Sequence, residues 1–133
     1  MYTISVTRLR LRSVVYVPLF MFHAMRSGSQ ANESEGIHGF ETRSEAGWVF
    51  WTKTSWSTEA DMKQFRNSGA HQVAMRILSR ICNEAAYVRW TQDSPDLPDW
   101  AEAHHRLTIE GRLSKLKRPS AFHLAGQAAP PLE

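Results

Sequence analysis

The stretch Phe50–Gln92, FWTKTSWSTEADMKQFRNSGAHQVAMRILSRICNEAAYVRWTQ, constrains the fold more than any other part of the chain. Residues 48–56 alternate, with Trp48, Phe50, Thr52, Thr54 and Trp56 on one side and Val49, Trp51, Lys53 and Ser55 on the other. Aromatic and β-branched residues at period two specify a strand. Each face carries a tryptophan, so neither reads as fully solvated. Helices over one face and a partner or cavity over the other would account for this. Ser57 or Thr58 can cap a following helix, with Glu59 and Asp61 in its first turn, where carboxylates favour the unpaired backbone N–H groups. Met62 and Phe65 share a face, and Asn67-Ser68-Gly69 then breaks the pattern. A second helix is expected over about 70–83, with Ala70, Ala74, Ile77 and Ile81 beside His71, Met75, Leu78 and Cys82 as a wide apolar face. Ala86, Val88 and Trp90 alternate with Tyr87, Arg89 and Thr91 as another strand.

The flanking sequence completes a recognisable order. Residues 2–9 alternate as a first strand, and Arg8, Arg10 and Arg12 recur at every second position. These arginines read as a solvated edge, with a grip on an anion as the alternative. Pro18 suits the first turn of a helix reaching about Gln30, with Leu19, Phe22, His23 and Arg26 at helical spacing and His23 as a helix-face residue. Gly28–Gly39 holds a loop, about 37–43 a strand, and Ser44-Glu45-Ala46-Gly47 a hairpin turn. The order βαββαβ is the ferredoxin-like α+β arrangement, with helices on one sheet face. The tryptophans of the central strand suggest that the other face pairs with a second copy. An extra C-terminal helix over 98–110, started by Pro98 and bearing Trp100, Ala103 and Leu107, belongs to the same domain, 1–111. Residues 112–133 read as a basic tail, partly disordered, above all over Gln127–Glu133.

Composition narrows the partners. At 133 residues the chain is one domain by length. A net charge of +3 and a short basic cluster with little aromatic interleaving do not call for nucleic acid. The single cysteine, Cys82, rules out an internal disulfide and suits a reducing cytoplasm. Arginines before the apolar run Val14–Phe22 imitate a signal peptide. The run is too short to span a bilayer, is interrupted by Pro18 and lacks a clean small-x-small cleavage site, so no targeting segment and no membrane partner are expected. His104 and His105 are adjacent and point to different helix faces, without acidic or thiol partners at ligand spacing, so no metal site is expected. There is no P-loop, GxGxxG, HExxH or GxSxG.

His71 is the one histidine singled out. An imidazole opening a helix on its apolar side can ligate a metal or act as acid or base; the plainer reading is a ring satisfied by a backbone group at the helix break. The runs FWTKTSW, MKQFRNSGAH, CNEAAYVRWTQ, LPDWAEAHHRL and EGRLSK, with Pro119-Ser120, resemble a bacterial domain-of-unknown-function family. That family is itself similar to spheroidene monooxygenase, within the antibiotic-biosynthesis-monooxygenase-like group of dimeric α+β barrels. The resemblance covers about residues 2–120. It implies a ferredoxin-like protomer whose sheet pairs with a second copy as a homodimer, and a ligand between sheet and helices or inside the barrel. Some relatives bind haem through a histidine on the helix after the third strand, a position matched here by His71; others oxygenate without a cofactor. The implied roles are His71 as haem ligand or proton shuttle, Arg66 as anchor for a carboxylate or propionate, and Trp51, Trp56 and Phe65 as substrate pocket. The resulting expectation is a monooxygenase-like oxidoreductase acting on an apolar small molecule. The alternative is a non-catalytic small-molecule-binding or structural homodimer whose aromatics are core.

Overall fold

The computed structural model describes residues 1–131 of the chain. Strand β1 (Tyr2–Leu11) leads through a short 3-10 turn into helix α1 (Val17–Glu33). Strands β2 (Ile37–Glu45) and β3 (Val49–Trp56) follow as a hairpin, then helices α2 (Glu59–Arg66) and α3 (Gly69–Ile81), then strand β4 (Cys82–Gln92). The remainder forms helix α4 (Trp100–Glu110), strand β5 (Arg112–Leu113) and helix α5 (Ala121–Leu124). The sheet order is β2-β3-β1-β4-β5, with every pairing antiparallel. This is the ferredoxin-like α+β fold.

Register sorts the side chains into two faces. Tyr87, Thr7, Thr52 and Thr42 form one cross-strand row, and Arg89, Ser5, Thr54 and Phe40 the next. Both rows lie on the face that α1, α2 and α3 cover. Alternate residues point the other way, so Val6, Trp51, Ala86 and Val88 pack on Ala103 and Leu107 of α4 and on Ala128 and Ala129.

Several elements differ from the sequence expectation, each for a physical reason. β1 is central, so its arginines are not on a solvated edge: Arg8 is 5% exposed and Arg8 Nη1 donates to Glu84 Oε1 at 2.8 Å. Trp48 leaves the strand for the turn, at φ 63° and 45% exposed, following Gly47 at φ 86°. The loop expected from Gly28 starts later, because α1 continues to Glu33. The buried residues of α1 are Phe20, His23 and Ala31, whereas Phe22 is 56% exposed. Cys82 begins β4 rather than closing α3.

The largest difference is at the C-terminus. The segment expected to trail freely is docked on the sheet: β5 pairs with β4, and Ala128 and Ala129 are buried beside Trp51. The end of the expected disordered stretch, Leu132 and Glu133, lies outside the described residues. The sheet face expected to meet a second copy is therefore covered by α4 and this segment. Among the described residues no helix is long and apolar enough to cross a membrane.

Candidate functional site

A cavity of about 250 Å³ lies between the sheet and helices α1, α2 and α3. Its floor is a ladder of hydroxyls, Ser5, Thr7, Thr42, Thr52 and Thr54, flanked by Tyr87 and Arg89 of β4. The threonines suit the pleated sheet, where β-branched side chains pack well. The roof is apolar and aromatic, with Phe20 from α1, Met62 and Phe65 from α2, and Leu78 from α3. Such a mix of apolar walls and a few placed polar groups is typical of small-molecule sites, which usually enclose roughly 300–1,000 Å³.

The α2–α3 break positions the chemistry. Thr58 caps α2 by accepting from Asp61 N. The chain then reverses through Gly69, at φ 59°. Gln30 of α1 clamps this break: its Nε2 donates to Ser68 O at 2.9 Å and Phe65 O at 3.2 Å, and its Oε1 accepts from His71 N at 2.7 Å. His71 thereby lies against Phe65, ring centroids 4.4 Å apart, and Phe65 stacks on Trp56 at 5.1 Å.

His71 Nδ1 sits 3.2 Å from Arg66 O. A carbonyl accepts, so this contact assigns the proton to Nδ1 and leaves the Nε2 lone pair free. Burial pushes the imidazole pKa below its ordinary value; the hydrogen bond to Arg66 opposes this, and the Arg66 charge adds to the lowering. The ring is thus a neutral base in an apolar wall. Arg66 Nε donates to Asn67 Oδ1 at 3.2 Å, while the residue also lines the cavity.

Of the expected site residues, His71, Arg66, Phe65 and Trp56 all line this cavity. Trp51 does not: it is 1% exposed on the opposite face, stacked on His104 with centroids 5.0 Å apart. Strand parity forces this, because residues 51 and 56 are an odd number of steps apart. Sequence reasoning missed His23, Tyr87 and Arg89 as lining residues. The signal for the last two was present, since Tyr87 and Arg89 share one face of an alternating strand. For the haem expectation, the cavity of about 250 Å³ lies below the usual range even for drug-sized ligands. Among the described residues no three His, Cys, Asp or Glu side chains are placed to hold a metal ion.

No family model and no curated protein matches this sequence. Solved structures do match in fold. A putative antibiotic biosynthesis monooxygenase from Nitrosomonas europaea superposes with a TM-score of 0.63 at 11% identity, over 71% of this chain and 92% of that one. A cofactor-independent oxygenase from Streptomyces nogalater gives 0.56 at 11% identity, over 70% and 94%. A conserved protein from Methanosarcina mazei Go1 gives 0.62 at 14% identity, over 70% and 94%. The chain therefore has the fold of antibiotic-biosynthesis-monooxygenase-like proteins. Its cavity lies between sheet and helices, with apolar and aromatic walls over a floor of hydroxyls.

Proposed function

We propose that the protein is a monooxygenase-like oxidoreductase that oxidises one compact apolar molecule in the cavity between sheet and helices. The observation that carries this reading is a neutral imidazole with a free Nε2 lone pair in an apolar wall lined by Arg66. The oxygenases among the fold neighbours support it.

The chemistry follows from the residues. His71 Nε2 takes a proton from an acidic C–H of a bound methylene compound, acting as general base. The carbanion that forms is held beside the half-buried Arg66 cation, whose charge offsets it. Dioxygen from solution is the oxidant. The methylene carbon loses its two hydrogens and gains a double bond to one oxygen atom. The second oxygen atom leaves as water with those two hydrogens. Four electrons leave the carbon and four reduce dioxygen, so no further reductant is needed.

Oxygen uptake with anthrone, an aromatic ketone with an acidic methylene, tests this reading. The expected result is one dioxygen consumed per anthrone and a loss of about 100-fold or more in His71→Ala, the usual scale of a general base. Saturable anthrone binding without oxygen uptake would leave a non-catalytic binding domain instead.

A further inference from the structure

The cavity has a charge imbalance that the oxidation chemistry does not use. Its lining holds the cations Arg66 and Arg89, beside the neutral His71, and among the described residues not one aspartate or glutamate. Arg89 stands on the sheet floor, in the row with Ser5, Thr54 and Phe40. Its Nε is buried without a hydrogen-bond partner among the described residues. The guanidinium lies over the Tyr87 ring, 4.6 Å from its centroid, which orients the plane and supplies no counter-charge.

Other buried or half-buried cations outside the cavity are paired with carboxylates. Arg8 is paired with Glu84 and also donates to Ala128 O. Lys53 pairs with Glu41 at 3.3 Å and donates to Pro98 O. Arg43 also has an unpartnered Nε, yet its Nη2 lies 3.6 Å from Glu45. The carboxylate whose field reaches Arg89 is Glu59, and it sits 3.1 Å from Lys63 Nζ. Burial, and then the field of Arg66, disfavour the charged form of Arg89. A second buried polar atom without a partner, Ser27 Oγ, lines the same cavity from α1.

We infer that the cavity binds an apolar carboxylic acid, whose carboxylate is held by Arg89 and whose hydrocarbon body lies against the aromatic roof. A guanidinium is a planar fork that matches a carboxylate through two parallel N–H···O bonds. Nε is one tine of that fork, and here it is the atom left without a partner. The aromatic and aliphatic roof demands that the rest of the ligand be apolar. This inference rests on the reading of the cavity as a ligand site and adds the class of ligand to it.

The test compares 2-naphthoate with its neutral isostere 2-naphthamide, titrated calorimetrically into the intact protein. The two differ by one charge and share shape and volume. The expected result is a Kd for the carboxylate at least about tenfold below that of the amide, on the scale of a charge-assisted hydrogen bond. In Arg89→Met the ratio should collapse towards one. Equal affinity for both in the wild type overturns the inference and leaves the cavity as a site for neutral apolar molecules. Binding of neither overturns the inference and the ligand-site reading together. A carboxylate preference that survives intact in Arg89→Met places the anion elsewhere and overturns the assignment to Arg89. The wild-type comparison decides the ligand class even if Arg89→Met does not fold.

Discussion

A buried neutral imidazole leaves a signature in how stability varies with pH. The folded pKa of His71 lies below its ordinary value, so at mildly acid pH the unfolded chain binds more protons than the folded one. Its stabilising contribution is complete above about pH 6.5, the value expected unfolded, and is lost as pH falls from there through the folded pKa. Urea unfolding at pH 7.5 and 5.5 should therefore show a larger loss for wild type than for His71→Gln. The chain has 6 histidines, and the remaining ones are common to both proteins, so they cancel in the comparison. Cys82 gives a second residue-scale test. Burial at the α3–β4 junction pushes its thiol up to about 12, so almost no thiolate exists at pH 8. Ellman's reagent should label it only after denaturant is added. Both residues belong to the apolar pattern that the sequence displays over about 70–83, which is why their burial was legible although Cys82 begins β4. Trp51 was misplaced because hydrophobicity alone does not say which covered face a tryptophan occupies. Strand parity relative to Trp56 did say it.

At the scale of elements, the α2–α3 break was legible and its fastening was not. Asn67-Ser68-Gly69 announces an interruption through local backbone preference. Gln30, which secures it, is distant in sequence, and an amide in a helix carries no pattern that names its partners. Gln30→Ala leaves Ser68 O, Phe65 O and His71 N without the amide that joins them. The expected cost is about 1–3 kcal/mol in unfolding free energy, since backbone polar groups lose their partner. Gly69 makes the same point from the backbone side. Its φ of 59° suits glycine, and an added Cβ would stand 3.1 Å from Gln30 Oε1. Gly69→Ala should cost about 1–2 kcal/mol from the left-handed conformation alone. It should also weaken binding at His71, measured as a raised Kd for 2-naphthamide with the fold retained by circular dichroism. The hydroxyl floor was hidden for a related reason. Ser5, Thr7, Thr42, Thr52 and Thr54 come from three strands, and pairing register brings them together.

For the whole molecule, the decisive feature is that the chain covers its own sheet. The fold neighbours match about 70% of this chain while 92–94% of their own length is used, so a substantial part of this chain lies outside the shared fold. A short basic cluster and two adjacent prolines made the C-terminal residues look free. What ties them down is a set of single polar contacts that no periodicity reveals. Glu84 receives Arg8, Arg10 and Ser120 Oγ, and His104 bonds to Pro130 O. His123 Nδ1 accepts from Ala85 N at 3.4 Å, which leaves Nε2–H to donate to Ser114 O at 3.0 Å. This histidine therefore fastens the C-terminal segment to β4 through Nδ1 and ties α5 to the stretch after β5 through Nε2. Replacing it by alanine strands two buried backbone groups, at a cost of about 1–3 kcal/mol, or roughly 5- to 150-fold in the opening equilibrium. Trypsin should then cut at Lys115 or Lys117 faster in His123→Ala than in wild type by a factor in that range, because slow cleavage follows the open population. Opening also uncovers the part of the apolar sheet face that Ala128 and Ala129 cover beside Trp51, a surface suited to a second copy. Wild type should accordingly run at the 15.2 kDa of one chain in light scattering, and His123→Ala should show a mass that rises with concentration. A wild-type dimer with its C-terminal segment still protected from trypsin would place the pairing surface elsewhere on the molecule.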